Sequence, residues 1–144
     1  MDLYQRLPDK NIIKIVNDLF YDKVYEHPWL SLFFEGIEKE FISDQQTAFI
    51  IGAIGGPDHY QGRLPSNAHP HMMITNELFD LRKSLLIMAL EEAQAPLELK
   101  ETWLKIDEAF RRTIVKNSIN ECEKRYNTDK ILDFQKPIDY KKTA

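Results

Sequence analysis

From Asn11 onward the apolar residues Ile12, Ile15, Val16, Leu19, Phe20 and Val24 recur at steps of three and four, the stripe of an amphipathic helix facing a core. That helix is predicted to stop before His27-Pro28, because a proline biases the residue ahead of it away from helical geometry. Trp29, Leu30, Leu32, Phe33 and Phe34 then crowd one short corner, and that much aromatic surface has to press on something large. Ser43 precedes a polar turn, while Phe41, Ile42, Ala48, Phe49, Ile51, Gly52 and Ile54 mark a second helix that Gly55-Gly56-Pro57 ends.

Residues 58–68 are polar and aperiodic, a loop. Thr75 with Asn76 offers an N-cap to a third helix through Leu78, Phe79, Leu81, Leu85, Leu86, Met88, Ala89 and Leu90, ending near Ala95-Pro96. A fourth is predicted from about Leu97 through Trp103, Leu104, Ile106, Ala109, Phe110, Ile114 and Val115. No strand-like alternation of useful length occurs, so the fold class is all-α. Beyond Asn117 the chain turns polar, and residues 116–144 hold seven basic and five acidic side chains. The expected organisation is one domain over residues 1–117 and a polar C-terminal extension over 118–144, a frayed helix and then a loose tail, partly helical or disordered.

Composition narrows the options. A chain of 144 residues, 43% hydrophobic, suits one domain with its own core. A net charge of −4 leaves no global positive field for a phosphate backbone, which argues against a nucleic-acid partner. No apolar run approaches the roughly 20 residues of a membrane-spanning helix. The single cysteine, Cys122, and a start without signal-peptide pattern favour a reducing, cytoplasmic setting.

Candidate chemistry centres on histidine. His27 and His59 fall in turns expected to face solvent, leaving His69 and His71 at the end of the polar loop. A neutral imidazole suits a metal, and in helical geometry residues two apart point about 200° from each other, so only one of the pair can face a given centre. As half of a zinc site, His69-Pro70-His71 lacks further ligands at suitable spacing. On the second helix Ile42, Gln45, Gln46 and Phe49 share one face. An unpaired buried amide costs about 1–3 kcal/mol, so Gln46 on that apolar stripe needs a polar partner. Gly55-Gly56-Pro57 lacks the strand and lysine of a phosphate loop, and no Ser/His/acid spacing suggests a hydrolase.

One family carries these pieces in this order. Leu3-Tyr4, Phe20-Tyr21 with Val24, Leu32-Phe33-Phe34-Glu35-Gly36, Gln45-Gln46, Gly55-Gly56-Pro57 with Tyr60, Gly62-Arg63, Ala68-His69, Ile74-Thr75 and Phe79 together resemble the truncated haemoglobins, closest to their first group, over residues 3–115. The resemblance implies a two-over-two helical sandwich around a haem, with His69, twelve residues after Pro57 and ten before Phe79, as the iron ligand. It implies Tyr21 and Gln46 as distal donors and Phe34, Ile42, Gln45, Phe49, Tyr60 and Phe79 around the cofactor; Ile42 stands where many globins carry a distal histidine. His71 then faces solvent or the haem edge. The haem is expected to be haem b, since no Cys-x-x-Cys-His is present for covalent attachment. Pro8-Asp9 replaces a glycine pair usual in the family, and Gln45 replaces a lysine that often pairs with a haem propionate.

The implied function is reversible binding of oxygen or another diatomic gas, nitric oxide or carbon monoxide, at ferrous iron. Conversion of nitric oxide to nitrate, the work ascribed to some members, needs electrons; with no flavin or nicotinamide motif in the chain, a separate reductase is the expected partner. The rival reading is a haem-free globin-like helical sensor or protein-interaction module. The sequence does not indicate an oligomeric state.

Overall fold

Pro8 and Asp9 turn the chain out of a short helix, α1 (Leu3–Arg6), and into the first long one, α2 (Ile12–Glu26). The Asp9 carboxylate accepts from the Asn11 N–H at 2.9 Å and its carbonyl from the Ile12 N–H at 3.3 Å, capping donors that the new helix leaves unmatched. The computed structural model describes residues 1–60, 62 and 68–138. Arg63 of the sequence motif and residues 139–144 of the extension lie outside them.

Four long helices do the work: α2, α3 (Lys39–Ala53), α4 (Asn76–Glu92) and α5 (Leu97–Ala109). α2 packs on α3, α4 packs on α5, and α2 also lies against α4. With two neighbours rather than one, α2 buries a rotated and wider face than the expected stripe. Ile13, Val16, Asn17, Phe20, Tyr21 and Val24 are inside, while Ile15 is 43% exposed. α2 ends at His27, as the following proline requires.

His27 corrects the expectation of an exposed turn. It is buried, and its Nδ1 accepts from the backbone N–H groups of Trp29 at 3.1 Å and Leu30 at 3.2 Å, capping the 3₁₀ turn Leu30–Phe34 that forms the aromatic corner. Ser43 is likewise not at a turn: it lies within α3 and is buried because it meets α2 there. Its hydroxyl donates to Asp18 Oδ1 at 2.6 Å, and Lys14 Nζ reaches the same Asp18 oxygen at 2.7 Å, Ser43 Oγ at 3.1 Å, and Glu40 and Asp44 at 3.0 Å. Beside this clasp, Asn17 Nδ2 donates to Thr47 Oγ1 at 2.9 Å.

Helices α3 and α4 stop in the same motif. The Gly56 N–H bonds Ile51 O at 2.8 Å around Gly55 in the left-handed region (φ +97°), and the Ala95 N–H bonds Leu90 O at 3.0 Å around Gln94 (φ +55°). A Cβ at Gly55 would run into Asp2, because α1 docks there through the Tyr4 N–H to Ile54 O at 3.1 Å. Thus α1 is seated although Pro8-Asp9 replaces the glycine pair. The fourth helix, expected to be continuous to Val115, breaks at Phe110 into α5 and a short α6 (Arg111–Ile114), where the Phe110 ring meets Phe49 at 5.9 Å.

The extension is no loose tail as far as residue 138. After a 3₁₀ turn (Ile119–Glu121) it runs back along the molecule, making the isolated parallel bridge Met72↔Leu132 near a second one, Ile74↔Val115. Phe134 fastens it: its carbonyl accepts from Trp29 Nε1 at 2.9 Å, and its ring stands edge-on to Phe33 at 4.9 Å. Polar composition concealed how well spaced Leu132 and Phe134 are to reach that corner. Among the described residues no helix is long and apolar enough to cross a membrane.

Gln94→Gly should stabilise the protein by about 0.5–1 kcal/mol, because a left-handed residue with a Cβ costs roughly 1–2 kcal/mol and glycine's extra unfolded-state freedom recovers only part of that. Gly55→Ala should destabilise by more than that gain. Urea midpoints at constant slope check both.

Candidate functional site

The two helical pairs meet where α2 lies on α4, and elsewhere they stand apart. Between them lies a cavity of about 510 Å³, within the range of roughly 300–1,000 Å³ typical of cofactor sites. α2 contributes Phe20 and Tyr21, the aromatic corner Phe33 and Phe34, and α3 contributes Ile42, Gln45, Gln46 and Phe49. Tyr60 enters from the following loop, His69 and Met72 from the segment before α4, Phe79 and Arg82 from α4, and Trp103, Ile106 and Asp107 from α5. The residues expected around a cofactor, Tyr21, Phe34, Ile42, Gln45, Gln46, Phe49, Tyr60, His69 and Phe79, thus line one space.

Aromatic edges stiffen the walls. Tyr21 stands edge-on to Phe20 at 4.8 Å and to Phe34 at 6.0 Å, and Phe49 to Tyr60 at 5.2 Å, spacings at which such pairs are favourable. Tyr21 is buried, and among the described residues its hydroxyl has no hydrogen-bond partner. Burial pushes its phenol well above the ordinary tyrosine range, against the pull of the nearby Arg82 cation. It is therefore a neutral donor across the physiological range. Gln45 and Gln46 are half-buried on the same cavity, and neither bonds Tyr21.

The two candidate histidines part, although the segment carrying them is a turn and not a helix. His69 lines the cavity; His71 does not. Instead of facing solvent, His71 is buried under the returning extension, with the Leu132 N–H on its carbonyl at 2.8 Å. Its Nδ1 has no partner among the described residues. Burial, helped by Arg125, lowers its pKa below the ordinary imidazole value.

Sequence reasoning missed a charged pair on the cavity wall. Arg82 Nη1 donates to Asp107 Oδ1 at 2.5 Å. Asp107 is 8% exposed, and its Oδ2 has no partner among the described residues. Burial opposes the Arg82 charge, yet the Asp107 carboxylate and Tyr21 hold its pKa above the ordinary arginine value. The guanidinium also sits over the rings of Phe20 at 5.4 Å and Phe79 at 5.8 Å. The signal was present, since Arg82 lies at i+3 from Phe79 on the apolar stripe of α4, the same oddity that drew attention to Gln45 and Gln46. Arg125, from the extension, also reaches the cavity, and nothing in its local sequence announced that.

Residues 2–116 match the family model described as bacterial-like globin. A group 1 truncated haemoglobin of Tetrahymena pyriformis is 33% identical over 90 residues, 62% of this chain and 74% of that protein. The chain is a truncated haemoglobin. A second relative of the globin, from Synechocystis, is 29% identical over 101 residues, 67% of this chain and 82% of that one. In three dimensions the globin resembles the Fe(III) form of the Tetrahymena pyriformis protein with a TM-score of 0.70 and 29% identity, covering 80% of this chain and 98% of that one. A group II protein from Bacillus anthracis, 21% identical over 81% of this chain and 92% of its own, has a TM-score of 0.69 and shares the fold. The family binds haem, and the globin's cavity suits one: flat aromatic walls, a histidine, and a tyrosine hydroxyl with no hydrogen-bond partner among the described residues. The family model ends at residue 116, so the docked extension is additional to it.

Asp107→Ala should destabilise the globin by about 2–3 kcal/mol, short of the 3–5 for a wholly buried pair because the Arg82 side chain keeps 36% of its accessibility. Arg82→Met with Asp107→Leu should recover most of the loss, and urea denaturation of the three variants checks the order.

Proposed function

We propose that His69 is the iron ligand of a non-covalently held haem b and that Tyr21, assisted by Gln46, is the donor that retains a diatomic gas. One observation carries this reading: the hydroxyl of the buried Tyr21, which makes no hydrogen bond among the described residues, belongs to the same apolar cavity as His69 from a separate segment. The haem, when bound, supplies an iron centre with an open position for the gas. Cys122 is not among the cavity-lining residues, in keeping with a haem that has no covalent tether.

The protein's own part is electrostatic. In an apolar space a single oriented dipole is worth more than in water, and the Tyr21 phenol stays protonated, so its hydrogen is always available to a ligand with negative character. Gln46 adds a second donor from α3. Phe34, Phe49, Tyr60 and Phe79 offer faces and edges to a flat macrocycle, and Ile42 keeps its part of the wall free of a competing polar group. Gln45 belongs to the same face of α3. We assign oxygen as the ligand that this donor set favours, with nitric oxide and carbon monoxide as further occupants. Conversion of nitric oxide to nitrate consumes one molecule each of nitric oxide and oxygen and one electron. A separate reductase is the class of partner which that activity requires, and a reducing cytoplasm is the matching compartment.

His69→Ala should abolish a stable Soret band in purified protein or alter it strongly, whereas His71→Ala should keep a near-normal spectrum; the reverse result shifts the register by two residues and removes the reading. A wild type with no Soret band after haem addition would favour the haem-free module.

A hydrogen bond to a ligand with partial charge contributes about 1.5–3 kcal/mol, and each ~1.4 kcal/mol is tenfold. Tyr21→Phe should therefore speed oxygen dissociation by about one to two orders of magnitude and change carbon monoxide far less. Gln46→Leu should act the same way more weakly, and the double variant should fall short of additivity. Equal shifts for both gases, measured by stopped flow, would reduce Tyr21 to a packing residue.

A further inference from the structure

The segment from Ala68 to Ile74 carries His69 but has little structure of its own. Within it the described backbone bonds are Met72 N–H to His69 O and Ile74 N–H to Met72 O, both at 3.0 Å. Its other backbone partners come from downstream. Pro70 O accepts from the Glu123 N–H, His71 O from the Leu132 N–H and Ile74 O from the Lys116 N–H, each at 2.8 Å, while the Met73 N–H donates to Leu132 O at 2.7 Å. Arg125, held by Asp129 at 2.9 Å, reaches Ala68 O at 3.4 Å.

Lys116 is the centre of this arrangement. It is 7% exposed, and its Nζ donates to the carbonyls of Met72 at 2.7 Å, His69 at 2.8 Å and Ile114 at 3.0 Å, which uses all three of its hydrogens. Among the described residues no carboxylate forms a salt bridge with it. Burial accordingly lowers its pKa. Taking an ammonium out of water without a carboxylate in direct contact is costly; Glu121 acts on it only from beyond ion-pair distance, so its three carbonyl partners hold it there, and one of them is the carbonyl of His69.

We propose that residues 116–132 form a clamp on the segment carrying the iron ligand, with Lys116 as the positioning residue that fixes the backbone from which the His69 imidazole enters the cavity. The proposal rests on the assignment of His69 made above. An imidazole is aimed by the backbone that bears it as well as by its own ring bonds, and groups supporting a ligand from outside its coordination shell tune metal affinity by factors of about ten to a hundred. Lys116 is the last residue of the stretch matched by the globin family model, and the rest of the clamp follows it.

The test uses the full-length protein reconstituted with haem. Three variants are compared with wild type: Lys116→Met, Lys116→Arg, and Glu123→Pro, which deletes the N–H bonded to Pro70 O and follows a residue already extended (Cys122 φ −80°, ψ 137°). Readouts are the iron–histidine stretching band of the ferrous, gas-free form by resonance Raman, and the rate of haem transfer to an excess of apo-acceptor protein. Urea unfolding of the haem-free variants runs alongside.

Lys116→Met should shift or broaden the iron–histidine band and speed haem loss by about tenfold or more. Lys116→Arg should recover much of both, and Glu123→Pro should move them the same way by less. If Lys116→Met fails to fold, Glu123→Pro carries the same prediction. A band and transfer rate unchanged in the folded variants, with only the urea midpoint lowered, overturn the clamp and leave His69 standing. A wild type that binds haem without an iron–histidine band overturns the His69 assignment and the clamp together.

Discussion

The crossing of α2 over α3 sets the register of everything the cavity contains. Asp18 and Ser43 meet there, with Lys14 on both. Each of the pair sits three residues before a proposed donor, Asp18 before Tyr21 and Ser43 before Gln46, which is one helical turn. Hydrogen bonds to charged partners are stronger and shorter than neutral ones, and Ser43 is only 1% exposed, so water competes poorly for this contact. A slip of α3 by one turn would therefore break the clasp and also carry Gln45 and Gln46 away from Tyr21. Apolar side chains alone tolerate such slips far better, because they have no direction.

The same logic explains why a mostly apolar cavity contains a few expensive polar groups. Arg82 and Asp107 bring α4 and α5 together where Phe20 and Phe79 cover the guanidinium. Replacing such a pair with hydrocarbon is often neutral for stability, so its value lies in geometry and field. The cation lies close enough to Tyr21 to oppose the effect of burial on that phenol. Tyr21 thus works in a field set by residues on two other helices.

Much of this was legible in the residue pattern. Helix boundaries set by proline, threonine and paired glycines were foreseeable because local sterics and capping decide them: α2 ends at Glu26 with His27 as its cap, Thr75 caps α4 by accepting from the Leu78 N–H at 3.2 Å, and α3 ends at Ala53, just ahead of the left-handed Gly55. The nine residues proposed for the site all line one cavity, and those on α2, α3 and α4 do so because helical spacing fixes which side chains share a face. What escaped was decided by long-range neighbours. Ile15 and Ile13 exchange roles once α2 has two partners. His27 and Ser43 look like surface residues until the groups that satisfy them are known. The extension has a polar composition, and its docking depends on backbone hydrogen bonds to residues 70–74, which leave no mark in a hydropathy pattern.

That docking also has a consequence in time. Lys116 and His69 are 47 residues apart, and Arg125 and Ala68 57. The packing of α2 on α3 joins neighbouring stretches, the local topology associated with rapid folding, whereas α2 meets α4 across the loop between them. During synthesis from the N-terminus, all four long helices have been made before Glu123 and Leu132 exist. The walls of the cavity can therefore assemble while the histidine segment still lacks its downstream partners. The segment bearing His69 is thus the last part of the cavity lining to gain its partners.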